Sequence, residues 1–179
     1  GTTLAGLLTE LCKLDFHWIR LHYLYPEAVT DELIEVVARE KKIVKYLDIP
    51  LQHANDGILK AMRRRNTRKD IEVLFAKLRA AMPNVVIRTS LICGLPGEGE
   101  EEFEELSEFL REMHIERAGV FPFSPEEGTR AALMEHVDEE EAARRAKKKK
   151  RIILIAGIAV GLAIAAVLVA IFAGKKKED

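Results

Sequence analysis

The chain has 179 residues, with 28 basic and 29 acidic side chains and two cysteines. The balance is uneven: residues 147–179 hold 8 of the basic and 2 of the acidic groups, so residues 1–146 are net acidic by 7. An acidic body excludes general attraction to a nucleic-acid backbone. Cys12 and Cys93 are far apart and give neither a disulfide framework nor a zinc-binding spacing, so they read as buried reduced thiols.

A body of this length fits one domain with its own core. In chain order, Trp18 to Tyr25 reads as a strand ended by Pro26, and Asp31 to Arg39 as a helix with acidic residues in its first turn. Lys45 to Gln52 reads as a strand with a late proline. A short helix around Ile58 to Arg64 and a longer one from Arg68 to Met82 follow. Val85 to Cys93 alternates as a strand, Glu100 to Met113 repeats as an amphipathic helix, and Ala118 to Phe123 is a last strand. Four strands with helical crossovers predict a parallel α/β arrangement. In such sheets functional groups gather at the carboxyl ends of the strands. That edge takes Pro26 and Glu27, Gln52 and His53, Cys93 to Glu98, and Ser124 to Thr129.

The stretch RTSLICGLPGEGEEEF, Arg88 to Phe103, carries the turn of most interest. Gly94 and Gly97 permit close backbone approach and unusual dihedrals, Pro96 fixes one turn residue, and the next helix offers unpaired N–H groups. Such a turn can hold a planar or polar ligand, and many βα turns use Gly and Pro for geometry alone.

From Ile152 to Gly174 no side chain is charged or strongly polar. A helix there, at about 1.5 Å per residue, covers a hydrocarbon core of about 30 Å, and the segment is expected to span a membrane. Lys147 to Arg151 precede it as a basic linker, and residues 175–179 form a polar tail. The larger basic cluster places the body on the cytoplasmic side. Gly157 and Gly161 form a GxxxG pair suited to helix dimerisation.

Taken in order, LHYLYPEAVTDELIEVVARE, YLDIPLQHANDGILKAMRRRNTR, RTSLICGLPGEGEEEF and GVFPFSPEEGT resemble the second half of the radical S-adenosylmethionine (SAM) core of the methylthiotransferases. The resemblance runs from about Trp18 to Ala146. Asp48 to His53, DIPLQH, is similar to the branch that modifies an aspartate of a small-subunit ribosomal protein; the tRNA-modifying branch differs there. The resemblance implies a partial (β/α) barrel over residues 1–146, followed by the membrane helix. It also implies SAM cleavage at a [4Fe-4S] cluster, with sulfur from a second cluster. Its SAM-contacting turn maps onto Ile92, Gly94, Leu95, Pro96, Gly97 and Glu98. Its fourth-strand edge maps onto Gln52 and His53, and its sixth onto Phe121, Phe123 and Ser124, with Arg88 as a polar contact from inside the barrel. The bland roles are backbone capping for Gln52 and His53, pairing with Asp48 or Glu27 for Arg88, and favouring a helix start for Glu98.

The departures are equally informative. The family's three-cysteine CxxxCxxC loop, its N-terminal cluster domain and its C-terminal RNA-binding-type barrel have no counterpart in these residues, and two cysteines cannot supply three thiolates. Cys93, Gly99, Asn66 and Pro122 also differ from the family's usual residues. The expectation is therefore half a catalytic barrel joined to a membrane anchor, with no catalytic residue assigned and no metal held. The functions in view are an enzyme part inactive alone, from the ribosomal-protein or the tRNA branch, and a membrane-tethered scaffold that keeps the fold.

Overall fold

A computed structural model of the chain describes residues 2–153. Helix α1 spans Leu4–Lys13, β1 Ile19–Leu21, α2 Asp31–Arg39, β2 Ile43–Asp48, α3 Asp56–Ala61, α4 Arg68–Ala81, β3 Val86–Cys93, α5 Glu100–Met113 and β4 Arg117–Pro122. A further helix, α6, runs over residues 139–153. The strands form one parallel sheet in the order β1-β2-β3-β4. This is the expected α/β architecture.

Local chemistry starts most helices. Thr3, Thr30, Asn55 and Thr67 each accept a backbone N–H from the first turn of the helix they precede, and Asp70 returns its carboxylate to the Thr67 N–H at 2.8 Å. At α5 the N-cap is Gly99, whose N–H donates to Glu102 at 2.8 Å. The reciprocal bond needs a side chain that glycine lacks.

Strand β3 sets the two faces of the sheet. Ile87, Thr89, Leu91 and Cys93 are buried against the helices, joining Leu47, Phe75, Leu78, Phe103, Leu106 and Phe109 in the core, while Arg88, Ser90 and Ile92 lie half-buried on the opposite face. The period of two along a strand makes this division.

Two strands are shorter than expected. β1 stops at Leu21 because Tyr23 turns to φ 56°, although the Leu24 N–H rejoins the sheet at the Asp48 carbonyl, 2.9 Å away. β2 stops at Asp48, ahead of Pro50, which has no N–H to donate. The buried Thr89 hydroxyl bridges the interruption: it accepts from the Leu51 N–H at 3.1 Å and donates to the Ile49 carbonyl at 2.9 Å. Gln52 then re-enters register beside Leu91 at φ 72°.

Helix α1 was not expected, and residues 147–151, expected as a linker, continue α6 instead. Ala142, Ala146 and Lys149 are buried on this helix and Ile153 packs against the core. Among the described residues no helix is long and apolar enough to cross a membrane. The expected span lies outside the described residues from position 154 on, as do Gly157 and Gly161.

Candidate functional site

The carboxyl ends of β2, β3 and β4 surround a cavity of about 600 Å³. Seven of the expected residues line it: Gln52, Ile92, Leu95, Pro96, Phe121, Phe123 and Ser124. Ser90 joins them from β3, Ile58, Ala61 and Met62 from the α3 segment, and Ala131 and Met134 from the chain after β4. Its volume falls in the range of small-molecule sites, about 300–1,000 Å³, and its make-up is theirs: apolar walls with a few polar groups.

The turn after β3 forms one wall. Leu95, Pro96, Gly97 and Glu98 make a turn closed by the Glu98 N–H on the Leu95 carbonyl at 2.9 Å, with Gly97 at φ 84° in the position that favours glycine. Gly94 also has φ 84°, and a Cβ there would lie 2.6 Å from the Ala142 Cβ and 2.9 Å from Val137 Cγ2. The close approach expected of a ligand at Gly94 is made by α6 and the segment before it.

The other three expected residues stand behind or below the cavity. Glu98 is buried; its Oε2 accepts the Gly94 N–H at 3.0 Å and its Oε1 accepts Arg145 Nη1 at 3.0 Å. Arg145 donates further to the carbonyls of Glu98 and Gly99, at 3.0 and 3.1 Å. Burial pushes the Glu98 carboxyl up, but hydrogen bonding from His53, the Gly94 N–H and Arg145 outweighs it and holds the group below its ordinary value. The His53 ring is wholly buried, with Nδ1 accepting the Asn55 N–H at 3.0 Å. That bond leaves the proton on Nε2, which faces Glu98 Oε2 at 3.5 Å, a contact longer than a well-formed hydrogen bond. His53 thus packs the chain after β2 against the 94–98 turn without a well-formed hydrogen bond between them. Arg88 shares the face of Ser90 and Ile92, yet its Nη1 lies 2.6 Å from Asp48 Oδ1, so it is engaged by the pairing that the sequence offered as its bland role.

SAM fits the residues present: the cavity offers Gln52, Ser90 and Ser124 as polar groups among apolar walls of nucleoside size. A [4Fe-4S] cluster does not fit. The chain has two cysteines, and Cys93 is buried behind the sheet, where burial and the nearby Glu98 charge push its thiol up to about 12. Among the described residues no group of three metal-ligating side chains converges.

A parallel α/β half-barrel with a ligand cavity at its carboxyl edge is the architecture of a radical SAM core, and residues 3–110 match the model of the Radical SAM superfamily. The chain belongs to that superfamily. It is 57% identical over 132 residues to the "Ribosomal protein uS12 methylthiotransferase RimO" of Anaeromyxobacter sp. (strain Fw109-5), covering 73% of this chain and 28% of the relative. It is 53% identical over 133 residues to the protein of that name from Lachnoclostridium phytofermentans, covering 74% and 30%. The chain therefore spans less than a third of the length of these curated relatives. Among solved structures, coproporphyrinogen III oxidase (HemN) from Escherichia coli superposes with TM-score 0.69 at 17% identity, over 86% of this chain and 37% of that one. Archaeal Elp3 from Methanocaldococcus infernus superposes with TM-score 0.58 at 17% identity, over 73% and 32%. These distant likenesses establish the fold alone.

Sequence reasoning missed α6 as a part of the site's frame. The signal was present: Glu141 and Arg145 stand one helical turn apart, and Arg144 and Arg145 hold the Glu141 carboxyl at about 2.

Proposed function

We propose that this chain is the SAM-edge portion of a radical SAM methylthiotransferase that adds a methylthio group to an aspartate of ribosomal protein uS12. The observation that carries the reading is the cavity of about 600 Å³ at the strand ends, lined by Gln52, Ile92 and Phe123, in a chain 57% identical to a protein named for that activity. The DIPLQH form of Asp48–His53 favours the ribosomal-protein branch over the tRNA branch.

SAM, when bound, supplies the radical precursor and the methyl group. Gln52, Ser90 and Ser124 hold its polar groups, and Ile92, Leu95, Pro96, Phe121 and Phe123 exclude water around it. Gly94, Gly97, Glu98 and His53 keep the 94–98 wall in place from behind, and Arg88 braces β3 against β2 through Asp48. Two cysteines cannot furnish the thiolate ligands of an iron–sulfur cluster.

A second reading is favoured by the apolar run from Ile152 to Gly174: a tethered module that keeps the fold without the chemistry. In both readings residues 152–174 anchor the chain in a membrane with residues 1–146 on the cytoplasmic side, and Gly157 and Gly161 offer a helix-pairing face. Resistance to alkaline carbonate extraction tests the anchor.

The enzyme reading is tested by joining this chain to the N-terminal portion of the Anaeromyxobacter relative, reconstituting the product anaerobically and assaying uS12 by mass spectrometry. Methylthiolated uS12 is the expected result. A folded, iron-loaded chimera that leaves uS12 unmodified supports the scaffold reading.

A further inference from the structure

Beside the main cavity lies a smaller one of about 160 Å³, between Tyr23, Leu24, Tyr25, Pro50 and Arg64, sharing Gln52 and Ser90 with its neighbour. It is too small for a whole cofactor, whose sites run to about 300–1,000 Å³, and suits a single side chain.

Arg64 is fixed at this cavity. Its Nη2 donates to the Pro50 carbonyl at 3.3 Å and its guanidinium carbon lies 4.9 Å from the centre of the Tyr25 ring. Arg88 and Asp48 neutralise one another at 2.6 Å, but among the described residues Arg64 makes no ion pair. A half-buried guanidinium held in position and lacking an anion is matched to a carboxylate, which it can grip with two parallel hydrogen bonds. Backbone strain gathers at the same place. Of the four non-glycine residues with positive φ among the described residues, Tyr23 at 56° and Gln52 at 72° line the cavity, and Arg63 at 58° adjoins Arg64. Such conformations persist where the surrounding structure enforces them, and they concentrate at ligand sites.

We propose that this cavity is a carboxylate subsite in which Arg64, flanked by Tyr23 and Tyr25, holds the acidic side chain of a peptide lying across the strand ends toward the larger cavity. The proposal rests on the functional reading above for the identity of the peptide. Its chemistry stands on Arg64 alone.

The test follows the arginine Nε signals of the ¹⁵N-labelled full chain by NMR. The probes are N-acetyl-aspartyl-N-methylamide, its asparagine analogue, SAM, and a uS12 loop peptide carrying aspartate or asparagine at the modified position. The expected result is a salt-sensitive shift of the Arg64 signal with the aspartyl probes and none with the asparagine probes. Discrimination of about tenfold, equivalent to 1.4 kcal/mol, is expected. Read at the backbone amides of Gln52 and Ser90, which line the same cavity, it is lost in Arg64→Gln and partly kept in Arg64→Lys, with an unchanged melting temperature. Equal responses to aspartate and asparagine overturn the subsite, and a response to SAM alone assigns its carboxylate to the cofactor and overturns the peptide. If the aspartyl diamide shifts Arg64 while the uS12 peptide fails to bind, the subsite stands and the uS12 reading falls. The probes on the unmodified chain decide the matter even if Arg64→Gln does not fold.

Discussion

Arg145 Nη1 sits 3.0 Å from Glu98 Oε1, with both side chains almost wholly withdrawn from water. The pair ties α6 to the turn that walls the cavity. A charge pair so placed contributes less through its own attraction than through the cost of leaving either member alone.

Arg145→Ala is accordingly expected to destabilise the chain by about 3–5 kcal/mol, because it strands a buried carboxylate. Glu98 also sets part of the acid sensitivity. Its folded pKa lies below the ordinary 4.5, so its contribution is fully present above pH 4.5 and is lost as pH falls through the folded value. Glu98→Gln should flatten that part of the acid limb in urea titrations at a series of pH values. An unchanged limb contradicts this assignment.

Gly94→Ala places a methyl 2.6 Å from the Ala142 Cβ on a backbone at φ 84°. Overpacking of this kind costs about 1–3 kcal/mol, with the strained φ adding to it. Adding Ala142→Gly should recover the part of the packing cost due to the Ala142 methyl and leave the Val137 contact at 2.9 Å and the φ part. Thermal melting of the single and double variants checks this; full recovery would show that φ contributes nothing.

Lys149 is buried, its ammonium donating to the Phe103 carbonyl and Ser107 hydroxyl and lying over the Phe103 ring. Burial lowers its pKa from 10.5 to about 8, against the opposing pull of Cys93 and Glu104. Between those two values Lys149 binds more protons in the unfolded chain, so its own contribution to stability should rise with pH from about 8 to 10.5, opposed above pH 9 by the raised Cys93 thiol. Lys149→Met should remove that rise when its pH–stability curve is compared with that of the parent chain. A rise of the same size in the variant contradicts the assignment.

Legibility in the sequence followed the strength of local signals. Helix α5 begins and ends at the expected residues, Glu100 and Met113, because its acidic first turn and apolar repeat agree. Strand β3 was legible as Val85 to Cys93, and the structure puts Ser90 and Ile92 on one of its faces and Thr89 and Leu91 on the other. Seven lining residues were named in advance from a family resemblance rather than from physics alone. What the sequence concealed was tertiary. Nothing local shows that Ala142 would occupy the space at Gly94 or that Lys149, within a run of lysines, would turn inward, whereas the engagement of Arg88 by Asp48 is one of the two pairings the sequence offers. The linker reading of residues 147–151 missed the helix because a run of like charges reads as solvated surface until carboxylates on a neighbour are known. Here Lys148 meets Glu104 at 2.7 Å.

The central claim, that the strand ends hold a SAM cavity even without cluster ligands, is tested most directly by titrating the ¹⁵N-labelled chain with SAM and mapping the shifted amides. The account predicts weak, saturable shifts at Gln52, Ser90, Ile92, Phe123 and Ser124, abolished by Ile92→Trp, with α1 and β1 unaffected. No shift at any lining residue up to saturating SAM, or shifts centred on α1 and β1, would contradict it.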